Sequence, residues 1–172
     1  MESILAIDIK NGLSKDGIIP WKSKADMQFF YNKTKNNVVV MGKNTYFSLP
    51  EKHRPLKNRL NIVLTSNPQK IKLNHHNDLI FTSDELIFNS ILNNREKYTK
   101  LYPYLNVNFQ IFFIGGKTIY NKFFPLCQTI WVTNINQDCD CDLFFDYDYS
   151  IHFKEEINYE DNEIQIIKYT IK

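Results

Sequence analysis

The sequence predicts an α/β protein on a mixed, mostly parallel central sheet of about eight strands flanked by about four helices. Two observations point there. Short apolar runs bounded by turn residues alternate with helical stretches over most of the chain, which argues for parallel strands covered on both faces. The last two strand segments have only a turn between them, which argues for a C-terminal antiparallel hairpin at one sheet edge.

The strand segments are 4–9, 37–41, 60–65, 79–81, 109–114, 129–135, 151–156 and 163–171, each rich in β-branched or aromatic residues. Val38-Val39-Val40-Met41, Ile62-Val63-Leu64, Ile111-Phe112-Phe113-Ile114 and the opening run are apolar on both faces. Strands of that kind belong in the middle of a covered sheet. A helix over 23–34 follows from Met27, Phe30 and Tyr31 at i, i+3, i+4 spacing with Ser23 as N-cap. A short helix is expected over 45–49, another over 83–94 with Ser83 or Thr82 as cap ahead of Glu85, and a last one over 117–124, opening directly after Gly115-Gly116. Residues 158–162 form the turn of the final hairpin.

Composition narrows the function classes. A chain of 172 residues fits one domain, 1–172, on a prior of about 150 residues per domain. With 43% hydrophobic and 15% aromatic residues, disorder is excluded. Lysine plus arginine number 21 against 19 acids, a balance of +2, and the basic clusters Lys52-His53-Arg54 and Lys70 with Lys72 are short. No nucleic-acid partner is therefore expected. No run of 18 apolar residues occurs, and Met1 leads straight into an alternating strand, so neither a membrane nor a secretory role is expected. Three cysteines, Cys127, Cys139 and Cys141, are an odd number that suits a reducing, cytoplasmic setting. Cys139-x-Cys141 beside Asp138, Asp140 and Asp142 has the wrong spacing for a zinc pair and lacks a second pair, so it reads as an acidic loop and no metal is expected.

Three constellations carry chemistry. Ile114-Gly115-Gly116 ends a buried strand and runs into a helix; glycines there let backbone approach a ligand, and free helix amides favour phosphate. Read alone, the pair fits a tight turn equally well. Met41-Gly42-Lys43-Asn44-Thr45 repeats the arrangement, so two phosphate-competent turns suggest a dinucleotide laid across the strand ends, while each by itself also fits a capped helix. In Pro20-Trp21-Lys22-Ser23-Lys24-Ala25-Asp26 the acid precedes Met27 and lies close to Phe29 and Phe30. A carboxylate facing apolar walls must be paired or have its pKa raised, and it can hold a planar nitrogen heterocycle by two hydrogen bonds; as a first-turn acid it also complements the helix dipole.

The collinear order of these residues strongly resembles dihydrofolate reductase. The resemblance rests on Ala6, Gly17-Ile18-Ile19-Pro20-Trp21 before Asp26 and Phe30, Val40 to Thr45 with Ser48-Leu49, Arg59 to Ser66, Ile114-Gly115-Gly116 with Ile119-Tyr120, Thr133, and Asp142-Leu143-Phe144-Phe145. It covers essentially the whole chain and implies that family's three-layer fold. It also implies reduction of dihydrofolate to tetrahydrofolate with NADPH as cofactor, in a monomer whose partner is the small-molecule substrate.

Carried over by position, the resemblance implies a catalytic set of Asp26, Trp21 and Tyr120, with a water near Trp21 relaying the proton. It makes Ile4, Leu5, Ala6, Met27, Phe30, Leu49, Leu56 and Ile114 wall of the folate pocket, Arg59 the grip on the glutamate tail's α-carboxylate, and Thr133 a brace for Asp26. Lys43, Asn44 and Thr45 with Gly42, Thr65 and Ser66 would meet the cofactor phosphates; Gly115, Gly116, Lys117, Thr118 and Ile119 would form its pyrophosphate turn. Ala6, Leu13 and Ile19, the latter two from a mobile loop, would border the nicotinamide.

The chain departs from the family pattern at Lys24 for a proline, Ser14 for a loop glycine, Lys117 for a third small residue, Lys43 for an arginine, and Cys139-Asp140-Cys141-Asp142 for a loop with a central glycine. Residues 89–108 exceed what compact members need, and the end at Lys172 just after the last strand leaves no fused synthase expected. A pyrimidine reductase of the same fold and a non-enzymatic nucleotide-binding module are the alternatives; Pro20-Trp21 with Asp26 five residues on separates the first, and the need for an acid at Asp26 separates the second.

Overall fold

The computed structural model describes residues 1–72 and 75–172 of the chain. Its elements run β1 (Glu2–Asp8), β2 (Gly12–Ser14), α1 (Lys24–Thr34), β3 (Val38–Gly42), α2 (Lys43–Ser48), β4 (Leu60–Leu64), β5 (Leu79–Thr82), α3 (Ile87–Asn93), α4 (Arg95–Leu101), β6 (Ile111–Phe113), α5 (Lys117–Phe123), β7 (Thr129–Ile135), β8 (Leu143–Phe144), β9 (Phe153–Glu160) and β10 (Ile164–Ile171).

Eight strands form one sheet in the order β5-β4-β3-β6-β1-β7-β10-β9. Neighbours pair in parallel from β5 as far as β7, whereas β10 runs antiparallel to both β7 and β9. The doubly apolar runs in β1, β3 and β6 occupy the middle, and β4 lies one place in from the edge. Burial on both faces makes continuous apolar runs favourable there, whereas an edge or half-solvated strand alternates.

The two-residue period of the strands divides the core into two layers. Ile4, Val39, Met41, Val63, Phe112 and Trp131 face one layer, where Phe29 and Phe30 of α1 and Tyr46 of α2 close over them. Leu5, Ile7, Val38, Val40, Leu60, Ile62 and Phe113 face the other, against Phe88 and Ile91 of α3 and Ile119, Tyr120 and Phe123 of α5. Phe113 and Phe123 stack there with centroids 4.4 Å apart.

Most elements match their sequence reading, and the differences have local causes. Helix α1 begins after Ser23, whose Oγ accepts the Asp26 N–H at 3.1 Å. Helix α2 starts two residues earlier than expected, at Lys43, with Gly42 as an N-cap that offers no side chain. The helix expected over 83–94 is shortened to α3, because Thr82 Oγ1 accepts the Asp84 N–H and Asp84 accepts the Leu86 N–H, so turn geometry wins over the first helical turn. Neither Ser83 nor Thr82 caps it. Five α-helices rather than four are present among the described residues, since α4 fills part of the 89–108 segment. The two-stranded β2·β8 pairing went unread because strands of two or three residues carry no period. Strand β9 starts at Phe153 and runs to Glu160, moving the final turn toward Asp161.

Asn61, wholly buried in β4, organises the turn that leads into it. Its Oδ1 accepts the Leu56 N–H at 2.9 Å and its Nδ2 donates to Leu56 O at 2.9 Å and Arg59 O at 2.8 Å. Asn61→Ala would leave three backbone groups, one buried and two half-buried, without their partner. We expect it to lower stability by about 2–3 kcal/mol, read from chemical denaturation, because an unsatisfied buried partner costs about 1–3 kcal/mol.

Candidate active site

Asp26 is the third residue of α1 and its side chain lies half-buried against β7. Trp21, Ala25 and Phe29 pack beside it on Ile135, Ile164 and Ile166. Thr133, 1% exposed, sits at the crossing of three strands, opposite Ala6 of β1 and Ile166 of β10. Burial raises the Asp26 pKa above the ordinary carboxylate range, and the side chains of Thr133 and Trp21 work against that rise without cancelling it. The indole Nε1 of Trp21 is enclosed beside that carboxyl and makes no well-formed hydrogen bond. The slot thus holds an acid that resists ionising and a spare donor beside it.

The sheet's centre meets this slot through Tyr120. Its phenol donates to Ile4 O at 3.1 Å, and it is raised in pKa by burial first, then by Tyr149 and by Asp26. Asp26 is therefore close enough for its charge to act on the residue that backs the double glycine. Gly115 has φ +122, and a Cβ there would lie 3.1 Å from the Tyr120 hydroxyl; one on Gly116 would lie 3.2 Å from Thr45 Oγ1. The Gly115–Gly116 peptide is cis, and Gly115 O accepts the Gly42 N–H at 2.8 Å. Only glycine lets the ends of β3 and β6 come this close while keeping that backbone.

Arg59 forms the third part. It is 6% exposed, its Nε donates to Lys57 O at 3.0 Å and one terminal nitrogen donates to Thr34 Oγ1 at 3.1 Å. Its guanidinium lies 5.9 Å from the Phe30 ring centroid and 5.5 Å from that of Tyr31. Burial lowers its pKa, yet a guanidinium remains charged at any ordinary pH. Among the described residues no carboxylate pairs with it. A buried fork with donors to spare is built for an anion from outside.

The family model for dihydrofolate reductase matches residues 1–172. The chain belongs to the dihydrofolate reductase family. It is 32% identical over 142 residues to dihydrofolate reductase of Ureaplasma parvum, covering 83% of this chain and 79% of that protein. With the Drosophila melanogaster dihydrofolate reductase the identity is 33% over 151 residues, covering 83% and 76%. A solved dihydrofolate reductase from Enterococcus faecalis, complexed with NADP(H) and RAB-propyl, superposes with a TM-score of 0.71 at 23% identity, covering 99% of this chain and 95% of that one. That likeness bears on the fold.

Within a dihydrofolate reductase fold the remaining candidates divide by location. Lys43, Asn44, Ser66, Lys117 and Thr118 are exposed, and Gly42, Thr45 and Thr65 half-buried, at the C-terminal ends of β3, β4 and β6. This is the sheet edge where open α/β folds take ligands. Helices α2 and α5 have six and seven residues, so attraction for phosphate rests on the two lysines more than on a helix dipole. Phe30, Leu49, Leu56 and Ile114 pack with Ile4 on the α1 side, with Ala6 half-buried two residues further along the same strand face. Met27 is 70% exposed and Ile19 64%; both stay out of the core, and Leu13 is half-buried against the opposite layer.

One expectation is corrected. Leu5 is not pocket wall: strand alternation turns its side chain into the layer of α3 and α5. Tyr120, expected in the catalytic set and against the nicotinamide side of the pocket, is buried, with its hydroxyl donating to Ile4 O and lying behind Gly115. Ile119 likewise contributes a core side chain, 6% exposed, so only its backbone faces the turn. Sequence reasoning missed Thr34, Asn61 and Asp8. The available signal for Asp8 was phase, because it shares a strand face with Ile4 and Ala6, where a polar residue at the end of an apolar run needs partners.

Because the folded state raises the Asp26 pKa, ionising this group costs stability as pH climbs through the interval above the ordinary carboxylate value. Asp26→Asn removes that cost. Its thermal midpoint at neutral pH should exceed that of the wild type, with the gap closing in acid; calorimetry at two pH values checks both.

Proposed function

We propose that this protein reduces 7,8-dihydrofolate to 5,6,7,8-tetrahydrofolate with NADPH, through the slot formed by Asp26, Trp21 and Thr133. The observation that carries the reading is the half-buried carboxyl of Asp26, lifted in pKa and lying beside Thr133 and the enclosed Trp21 indole. A pterin edge presents an amino group and adjacent ring nitrogens, and one carboxyl group satisfies two of them at once. A non-enzymatic nucleotide binder needs no such acid.

The residues present fit a phosphorylated dinucleotide. Gly115 and Gly116 form a cradle that a Cβ would fill, and exposed Lys43 and Lys117 stand at the neighbouring strand ends. Lys43, Asn44, Thr45, Thr65 and Ser66 would hold one phosphate region, and Gly115, Gly116, Lys117 and Thr118 the pyrophosphate. When bound, NADPH supplies the hydride that reduces the pterin C6–N5 double bond. Asp26 orients the pterin and, by staying protonated further up the pH scale than a solvated carboxyl, keeps a proton available for N5. Thr133 steadies the carboxyl, and Trp21 roofs the slot against bulk water. Arg59 grips the α-carboxylate of the substrate's tail in a two-point fork, while Phe30, Leu49 and Leu56 line the path between. Both sites come from one chain, 1–172, and the three cysteines are free thiols, which supports a monomeric enzyme of the cytoplasm. No helix among the described residues is long and apolar enough to cross a membrane.

NADPH absorbance should fall only when dihydrofolate and enzyme are both present; stable absorbance in the full mixture overturns the assignment. Asp26→Asn should lose about 10²- to 10⁴-fold in turnover, the usual worth of one acid–base group. Wild-type turnover should decline as pH rises, with its midpoint above the ordinary carboxylate value. Arg59→Lys keeps the charge and loses the fork, so KM for dihydrofolate should rise about 10- to 100-fold with kcat little changed; an unchanged KM places the tail elsewhere.

A further inference from the structure

Strand β1 ends at Asp8, which is 2% exposed and lies outside the slot described above. Its Oδ1 accepts the Lys10 N–H at 2.9 Å and the Gly12 N–H at 2.7 Å, and its Oδ2 accepts the Cys139 N–H at 3.0 Å. Burial alone would raise its pKa, but the N–H groups of Cys139, Gly12 and Lys10, with the Cys141 thiol, outweigh that and hold it below the ordinary carboxylate range. One carboxylate thus ties together two segments far apart in sequence, the run after β1 and the run after β7.

Those segments meet again further out. Asp16 N–H donates to Asp142 Oδ2 at 2.9 Å, Asp142 N–H donates to Ser14 O at 3.0 Å, Lys10 pairs with Asp138 at 2.6 Å, and Lys15 pairs with Asp140. The two ion pairs are solvent-exposed, and exposed pairs contribute little. Asp8 is the buried member of the set. Beside it Cys141 is seated on Gly12 so closely that a Cβ on that glycine would lie 2.5 Å from the sulfur and 2.9 Å from Asp8 Oδ1. Residues 9–23 then run on to Trp21, which packs beside the Asp26 slot.

We propose that Asp8 is a positioning residue for the reduction: by anchoring the root of the 9–23 segment to the 136–142 loop, it sets how closely Trp21 roofs Asp26. This rests on the reductase reading above. Asp8 touches neither guest and acts through Trp21 alone.

Asparagine at position 8 has one acceptor oxygen and must turn an N–H₂ group toward an N–H donor, so one of the two tethers fails. For Asp8→Asn we expect kcat/KM to fall about tenfold, with both kcat and KM affected, as for residues that set a loop's position. The decisive readout is the pH profile. A looser roof lets water reach Asp26, which Thr133, Trp21 and Tyr120 otherwise face, so the midpoint of the turnover decline should move to lower pH. A role confined to stability lowers the melting temperature and leaves that midpoint in place.

Gly12→Ala provides a second arm with the carboxylate intact, because the added methyl group must push the two loops apart. It should reproduce the same profile shift, and adding Cys141→Gly should reverse it by reopening the space. If the wild type fails to turn over dihydrofolate, the reductase reading is what fails. If the wild type turns over and the folded variants keep its kcat/KM and pH midpoint, Asp8 has no positioning role.

Discussion

A carboxyl group kept half out of water is the constraint around which this molecule is arranged. Asp26 lies where α1 meets the sheet, and three separate elements are needed to hold it: Ser23 to cap the helix that carries it, Thr133 from β7 beneath it, and Trp21 across it. Thr133 and Trp21 lower the cost of burial without abolishing it, leaving the acid raised in pKa. Incomplete satisfaction of this kind is costly in a structural core and useful in a site, since a guest completes it.

The sheet supplies the second half of the arrangement. Parallel strands β3, β6 and β1 lie side by side, and Tyr120 joins them by donating to Ile4 O while its ring backs Gly115. The glycines there are required by proximity, since side chains would collide with Tyr120 and Thr45. Arg59 follows the same logic from the other side of α1. It is enclosed by aromatic rings, holds Lys57 O and Thr34, and has charge left over for a carboxylate.

Legibility in the sequence tracked how local the cause was. The start of α1 at Ser23, the doubly apolar β3 and β6, and the Gly-Gly turn were readable because capping, burial pattern and backbone freedom act over a few residues. The shortened α3 was not, since Thr82 and Asp84 competed for the same backbone groups that a helix would use. Helix α4 has no buried residue, so it has no apolar stripe to announce it. Leu5 was misassigned because a list of neighbours in sequence ignores which side of a strand each one takes.

By itself, the order of residues determined most strand and helix types, the hairpin at the end and the glycine turn, because periodicity, caps and turn chemistry are written along the chain, and it singled out Asp26 as a candidate acid; Arg59 came only with the resemblance to the family. Only the tertiary structure decided that Asp26 is raised in pKa, that Arg59 has no internal counter-ion among the described residues, and that Asp8 joins two loops about 130 residues apart. Desolvation and hydrogen-bond satisfaction depend on what folds over a group from elsewhere, and no local pattern encodes that.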